Sequence, residues 1–105
     1  MKQIQLRLDE EHEYMLAEVQ RTNFIDLQAI MLKSLLLKHS AIKTPIEKRE
    51  ALPRGGSKVI SVRVYDDQLV RINTWKRDND ATFDAMAAKV VELEYQKVVG
   101  SDSTV

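Results

Sequence analysis

Lys2-Gln3-Ile4-Gln5-Leu6-Arg7-Leu8 alternates polar and aliphatic residues at every step. Successive side chains of a strand point to opposite faces, so Ile4, Leu6 and Leu8 share one face while Gln3, Gln5 and Arg7 share the other. The aliphatic face suits a core and the polar face suits a partner. So short a strand cannot stand alone, because its edges must be paired or covered.

A pairing strand is found further along the chain. Lys58-Val59-Ile60-Ser61-Val62-Arg63-Val64 repeats the pattern, with Ile60, Val62 and Val64 inward and Val59, Ser61 and Arg63 outward. At the same 56-residue offset, Lys2, Ile4, Arg7, Arg21, Asn23, Ala29, Lys33 and Leu37 meet identical residues at Lys58, Ile60, Arg63, Arg77, Asn79, Ala85, Lys89 and Leu93. Ordinary residue frequencies would give about two such identities over this length. The expectation is an internal duplication of one strand-helix-helix unit.

The chain has 105 residues, enough for one modest domain, whereas either half alone is too short for a convincing core. The halves are therefore expected to share one. The absence of cysteine excludes disulfides and thiolate metal sites. The first residues read as a strand rather than a secretory leader, and no apolar run is long enough to cross a bilayer, so a soluble, cytoplasmic protein is the expectation. Sixteen Lys and Arg balance sixteen Asp and Glu. Even so, Lys38, Lys43, Lys48, Arg49, Arg54 and Lys58 gather in one region against only Glu47 and Glu50. Zero net charge predicts binding to a polyanion that is weaker and less dependent on salt than for a strongly basic chain.

In chain order, Asp9 is placed to cap a helix that opens with Glu10, Glu11 and Glu13, acids that favour the positive end of the helix dipole. Asp26 is read as the cap of a second helix running to about His39. That helix is apolar over much of its circumference, through Ile25, Ala29, Ile30, Met31, Leu32, Leu35, Leu36 and Leu37, and so must be packed on several sides. Residues 40–57 carry Pro45, Pro53, Gly55 and Gly56 among charges and read as a basic flexible linker. A third helix is expected from Asp66 to Arg77, with Leu69, Ile72 and Trp75 on one face. A fourth is expected from the Thr82 cap to about Lys97, followed by a disordered tail over 98–105.

An amphipathic strand and two helices, pairing with a second copy through the strands, resembles the ribbon-helix-helix family typified by the Arc and MetJ repressors. The run Gln3-Ile4-Gln5-Leu6-Arg7 is very similar to the DNA-reading strand of Arc-type proteins. Two copies in one chain are similar to the tandem members among conjugative accessory proteins of the TraY type. The resemblance implies a mainly α fold with a short two-stranded antiparallel β-ribbon. It would be built as tandem ribbon-helix-helix units over 1–39 and 58–97 (β-α-α, linker, β-α-α), paired within the chain or as a homodimer.

It further implies that the ribbon enters the major groove of double-stranded DNA and that the starts of the second helices meet phosphates. Gln3, Gln5, Arg7, Val59, Ser61 and Arg63 then fall at base-reading positions. Arginine can bond guanine O6 and N7, glutamine can bond adenine N6 and N7, and Val59 can only make apolar contact, for example with a thymine methyl. Lys2, Lys58, Asn23, Asn79 and Thr82 fall at phosphate-binding positions. Asp26 would set a negative charge near a phosphate, so the first half is expected to hold the better reading strand, the second the better phosphate clamp, and the DNA site to be asymmetric.

His12 and His39 lack a second ligand at metal spacing and read as surface or cap residues. Asp78-Asn79-Asp80-Ala81-Thr82 begins like a calcium loop, but Phe83 and Lys89 occupy the positions that need glycine and glutamate. Neither a catalytic triad nor a glycine-rich phosphate loop can be placed, so no enzyme, cofactor or metal is expected. The expected function is sequence-specific DNA binding, as a transcriptional repressor or a DNA-processing accessory factor of a mobile element. The alternative is an inhibitor or antitoxin-like module that keeps the fold but binds protein.

Overall fold

A computed structural model describes residues 1–47 and 59–103. The order of elements is β1 (Lys2–Arg7), α1 (Glu10–Asn23), α2 (Gln28–Ile42), β2 (Val59–Val64), α3 (Asp66–Asp78) and α4 (Phe83–Ser103). β1 and β2 form a two-stranded antiparallel sheet in which Gln3 faces Arg63, Gln5 faces Ser61 and Arg7 faces Val59. The alternation in sequence is realised directly. Ile4, Leu6, Leu8, Ile60, Val62 and Val64 are buried, each contributing about 1.5–3 kcal/mol by leaving water.

The expected pair of tandem β-α-α units is not what the chain forms. Among the described residues there is one sheet, and the four helices close around one core drawn from both halves. Each early helix packs mainly on the later helix of the other half: α1 lies on α4, and α3 lies on α2. The physical reason is the apolar girth of α2 and α4. Met31, Leu32, Leu35 and Leu36 in one, and Met86, Ala87, Val90 and Val91 in the other, cannot all be covered by the narrow stripe of a single partner helix. The 56-residue offset persists in where the elements start and at Phe24 and Asp80, which both take a left-handed backbone where a helix closes.

Asp9 caps α1 as expected, its Oδ1 accepting the His12 amide at 2.8 Å. Asp26 does not cap α2. Leu27 holds that position without a side-chain bond, and the helix ends at Ile42 rather than His39. α4 continues to Ser103, so 98–103 are helix rather than disordered tail. The stretch expected to be a linker is anchored at its start: Ile46 is buried and its amide donates to Asn79 Oδ1 at 3.0 Å. The rest of that stretch, including Lys48, Arg49, Arg54 and Lys58, lies outside the described residues, as do 104–105.

Phe24 closes α1 with φ 57° and is 94% exposed. A left-handed conformation costs a residue with a bulky side chain about 1–2 kcal/mol, whereas asparagine tolerates it. Phe24→Asn should therefore raise the unfolding free energy by about 0.5–1 kcal/mol, measured by urea denaturation.

Candidate nucleic-acid interface

The antiparallel register sets two rows side by side on the outward face of the ribbon: Gln3-Gln5-Arg7 along one strand and Arg63-Ser61-Val59 along the other. Gln3, Gln5, Arg7, Val59 and Arg63 are exposed, and Ser61 is half-buried. Pairing brings all six expected base-reading residues together. The two arginines fall at diagonally opposite ends, Arg7 beside Val59 and Arg63 beside Gln3, with Gln5 and Ser61 between them. Four residues of strand separate the two ends, about 13 Å, or about four base steps of duplex. The face is not two-fold symmetric in its chemistry, because Val59 stands opposite the arginine at one end and a glutamine stands there at the other.

The candidate phosphate contacts are not gathered in the same way. Lys2 is exposed, but it has the register of Ile4 and Leu6, on the core side of the strand. The Asn23 amide donates to the Val19 carbonyl at 2.8 Å. The Asn79 amide donates to the Trp75 carbonyl at 2.9 Å while its oxygen accepts from Ile46. Both asparagines thus serve helix ends. The Thr82 hydroxyl accepts the Ala85 amide at 3.1 Å, satisfying one of the free donors at the start of α4. Lys58 lies outside the described residues.

Asp84 alters the expected balance between the halves. From the first turn of α4 its Oδ1 accepts the backbone amide of Arg7 at 2.8 Å, covering the open edge of β1 at that residue. It also sets a negative charge where a phosphate would approach α4, whereas the first turn of α2 holds no acid. Both second helices thus have an acid close to their start, Asp26 just before the Leu27 cap of α2 and Asp84 in the first turn of α4. Sequence spacing gives no sign of this bond, which links residues 77 apart.

Both histidines are buried, at 6% and 3% exposure, rather than on the surface. His12 Nδ1 lies 2.5 Å from Asp9 Oδ1 and its Nε2 lies 2.8 Å from Glu92 Oε1. Burial opposes charge on this ring, but the bonds to the two carboxylates outweigh it and raise the pKa of His12 above the ordinary imidazole value. Burial likewise opposes charge on Asp9, yet the hydrogen bonds from His12 prevail and hold its carboxyl below the ordinary range.

His39 is the contrasting case. Its Nδ1 meets Thr44 Oγ1 at 2.7 Å and its Nε2 meets Glu94 Oε1 at 3.2 Å. One N–H to Glu94 and one lone pair accepting from the Thr44 hydroxyl satisfy a neutral ring, and burial depresses its pKa. Glu94 also pairs with Lys38 at 2.8 Å and with Lys97 at 3.6 Å. Its burial would raise its pKa, but the bonds from Lys38 and His39 dominate and lower it. These clusters hold α1 and α2 to α4. The signal that could have located the histidines is their place in the apolar periodicity: His12 precedes Leu16 by four residues, and His39 follows Leu35 by four.

Among the described residues, no group of three or more His, Asp or Glu side chains could hold a metal ion, and no helix is long and apolar enough to cross a membrane. No protein-family model, curated protein or solved structure matches this chain.

Proposed function

We propose that this protein binds double-stranded DNA sequence-specifically through the outward face of its β-ribbon, acting as a repressor or as an accessory factor in DNA processing. The observation that carries this reading is the exposed pair of rows, with Arg7 and Arg63 at opposite ends and Gln3 and Gln5 on one strand, backed by a buried aliphatic face. A two-stranded ribbon fits a major groove about 12 Å wide, and arginine and glutamine are side chains whose paired hydrogen bonds distinguish guanine and adenine. The likeness of the Gln3–Arg7 run to ribbon-helix-helix readers supports the same reading.

Selection of bound duplexes from a random pool tests it. The protein should enrich a short asymmetric motif, with a guanine contacted near each end, and an Arg7→Ala/Arg63→Ala variant should lose that motif while remaining folded. No enrichment at low salt would overturn the proposal.

A second reading, attachment to a protein partner, is favoured by one specific feature. Phe24, Leu27 and Ile30 are 94%, 64% and 50% exposed around the α1–α2 turn, and Phe24 holds its strained backbone without burial in return.

A further inference from the structure

We propose that His12 is a proton-controlled staple fastening the start of α1 to α4, closed when the ring carries both of its protons and opened when it loses one. Both ring nitrogens face carboxylate oxygens, Asp9 Oδ1 on one side and Glu92 Oε1 on the other. A carboxylate only accepts, so both contacts are hydrogen bonds only if both nitrogens donate, which requires the imidazolium. Loss of one proton to solvent leaves a nitrogen lone pair against a carboxylate oxygen, and that contact becomes repulsive.

The two contacts differ in what restrains them. Asp9 stays tied to the helix by accepting the His12 backbone amide. Glu92 belongs to α4, 80 residues away in sequence, so its contact with the ring is the one that fastens α1 to α4. The charged groups acting on the ring are Asp9 at the cap of its own helix and Glu92 from α4. Among the described residues neither α2 nor the sheet adds a charge that acts on it. Glu10, Glu11 and Glu13 share its helix turn. The helix N-terminus itself disfavours a cation, so the two carboxylates carry the effect.

The direction of the pH dependence follows. A folded-state pKa raised above the unfolded value of about 6.5 means that the staple contributes fully below that pH and is lost as pH rises through the folded pKa. His39 acts in the opposite sense: its lowered folded pKa gives stability that is present above about 6.5 and lost as pH falls. Total stability therefore mixes the two, and residue-specific readouts are needed to separate them.

The test is an NMR titration of the two imidazole rings between about pH 5 and 9, together with urea unfolding over the same range, on the wild type, Glu92→Gln and His12→Gln. In the wild type, His12 should titrate above the ordinary imidazole value and His39 below it. Glu92→Gln should move the His12 midpoint down by about one pH unit without moving His39 comparably, and should shrink the loss of stability on the alkaline side. His12→Gln should abolish that loss. A His12 midpoint at or below the ordinary value, or superimposable titrations in the wild type and Glu92→Gln, would overturn the proposal. The ring titrations of the wild type and Glu92→Gln do not need the His12→Gln chain to fold, and none of the measurements depends on DNA.

Discussion

Trp75→Ala is expected to lower the unfolding free energy by about 3–5 kcal/mol, the range for removing a buried aromatic from a packed core. Trp75 is 2% exposed on α3, and its Nε1–H donates to the Thr44 carbonyl at 2.7 Å. Thr44 lies just beyond the end of α2, where its amide donates to the His39 carbonyl at 3.1 Å and its hydroxyl meets the His39 ring. The indole thus fills core volume and fastens the chain leaving α2 onto α3. A domain of this size is stabilised by about 5–15 kcal/mol, so the alanine variant should lose a substantial share of its stability. Trp75→Phe separates the two contributions. It keeps most of the apolar volume but leaves the Thr44 carbonyl without its donor, at a cost of about 1 kcal/mol beyond repacking. Far-ultraviolet circular dichroism in urea is the measurement, because Trp75 is the sole tryptophan and both variants remove the fluorophore. A loss under about 1 kcal/mol in Trp75→Ala would mean that the α2–α3 contact is open to solvent.

The second large effect concerns the ribbon. Arg7→Ala should cost about 1–3 kcal/mol of specific DNA binding, roughly a fivefold to 150-fold loss of affinity for the selected duplex. Binding to a scrambled duplex should change much less. Folding should be nearly unaffected, because Asp84 holds the backbone amide of Arg7, which alanine retains, and the guanidinium stands on the exposed face. Lys2→Ala provides the contrast. Its effect, if a phosphate contact exists, should be uniform across sequences and should reduce the salt slope by about one. Equal losses on both duplexes for Arg7→Ala would make that residue a phosphate contact rather than a reader, and a matching fall in thermal stability would make it structural.

Much of this architecture is legible in local sequence because its causes are local. The period of two in Lys2–Leu8 and Lys58–Val64 decides which side chains face inward, and a strand has no other way to bury Ile4 and Leu6 together. Asp9 followed by Glu10, Glu11 and Glu13 marks the start of α1 through the free amides and the dipole of one helical turn. Asp26 misled because the same preference holds for turns as well as caps. Leu27 took the cap position, with the Gln20 side chain donating to the Asp26 carbonyl at 2.8 Å in the turn. That Gln3, Gln5 and Arg7 share an outward face with Val59, Ser61 and Arg63 was legible too, because pairing two alternating strands in antiparallel register leaves their polar faces on one side.

What the sequence by itself determined is therefore the set of elements, the inward and outward face of each strand and the cap of α1, all consequences of periodicities and bonds spanning a few residues. The tertiary structure alone decided that α1 packs on α4 and α3 on α2 in place of two tandem units. It also decided that His12 lies between Asp9 and Glu92, that Asp84 takes the Arg7 amide, and that Trp75 reaches Thr44. Hydrophobic burial is non-directional, so an apolar helix face does not specify which other face will cover it. That choice is made only when the whole chain closes around one core, and the buried polar contacts are those that such closure brings within bonding distance.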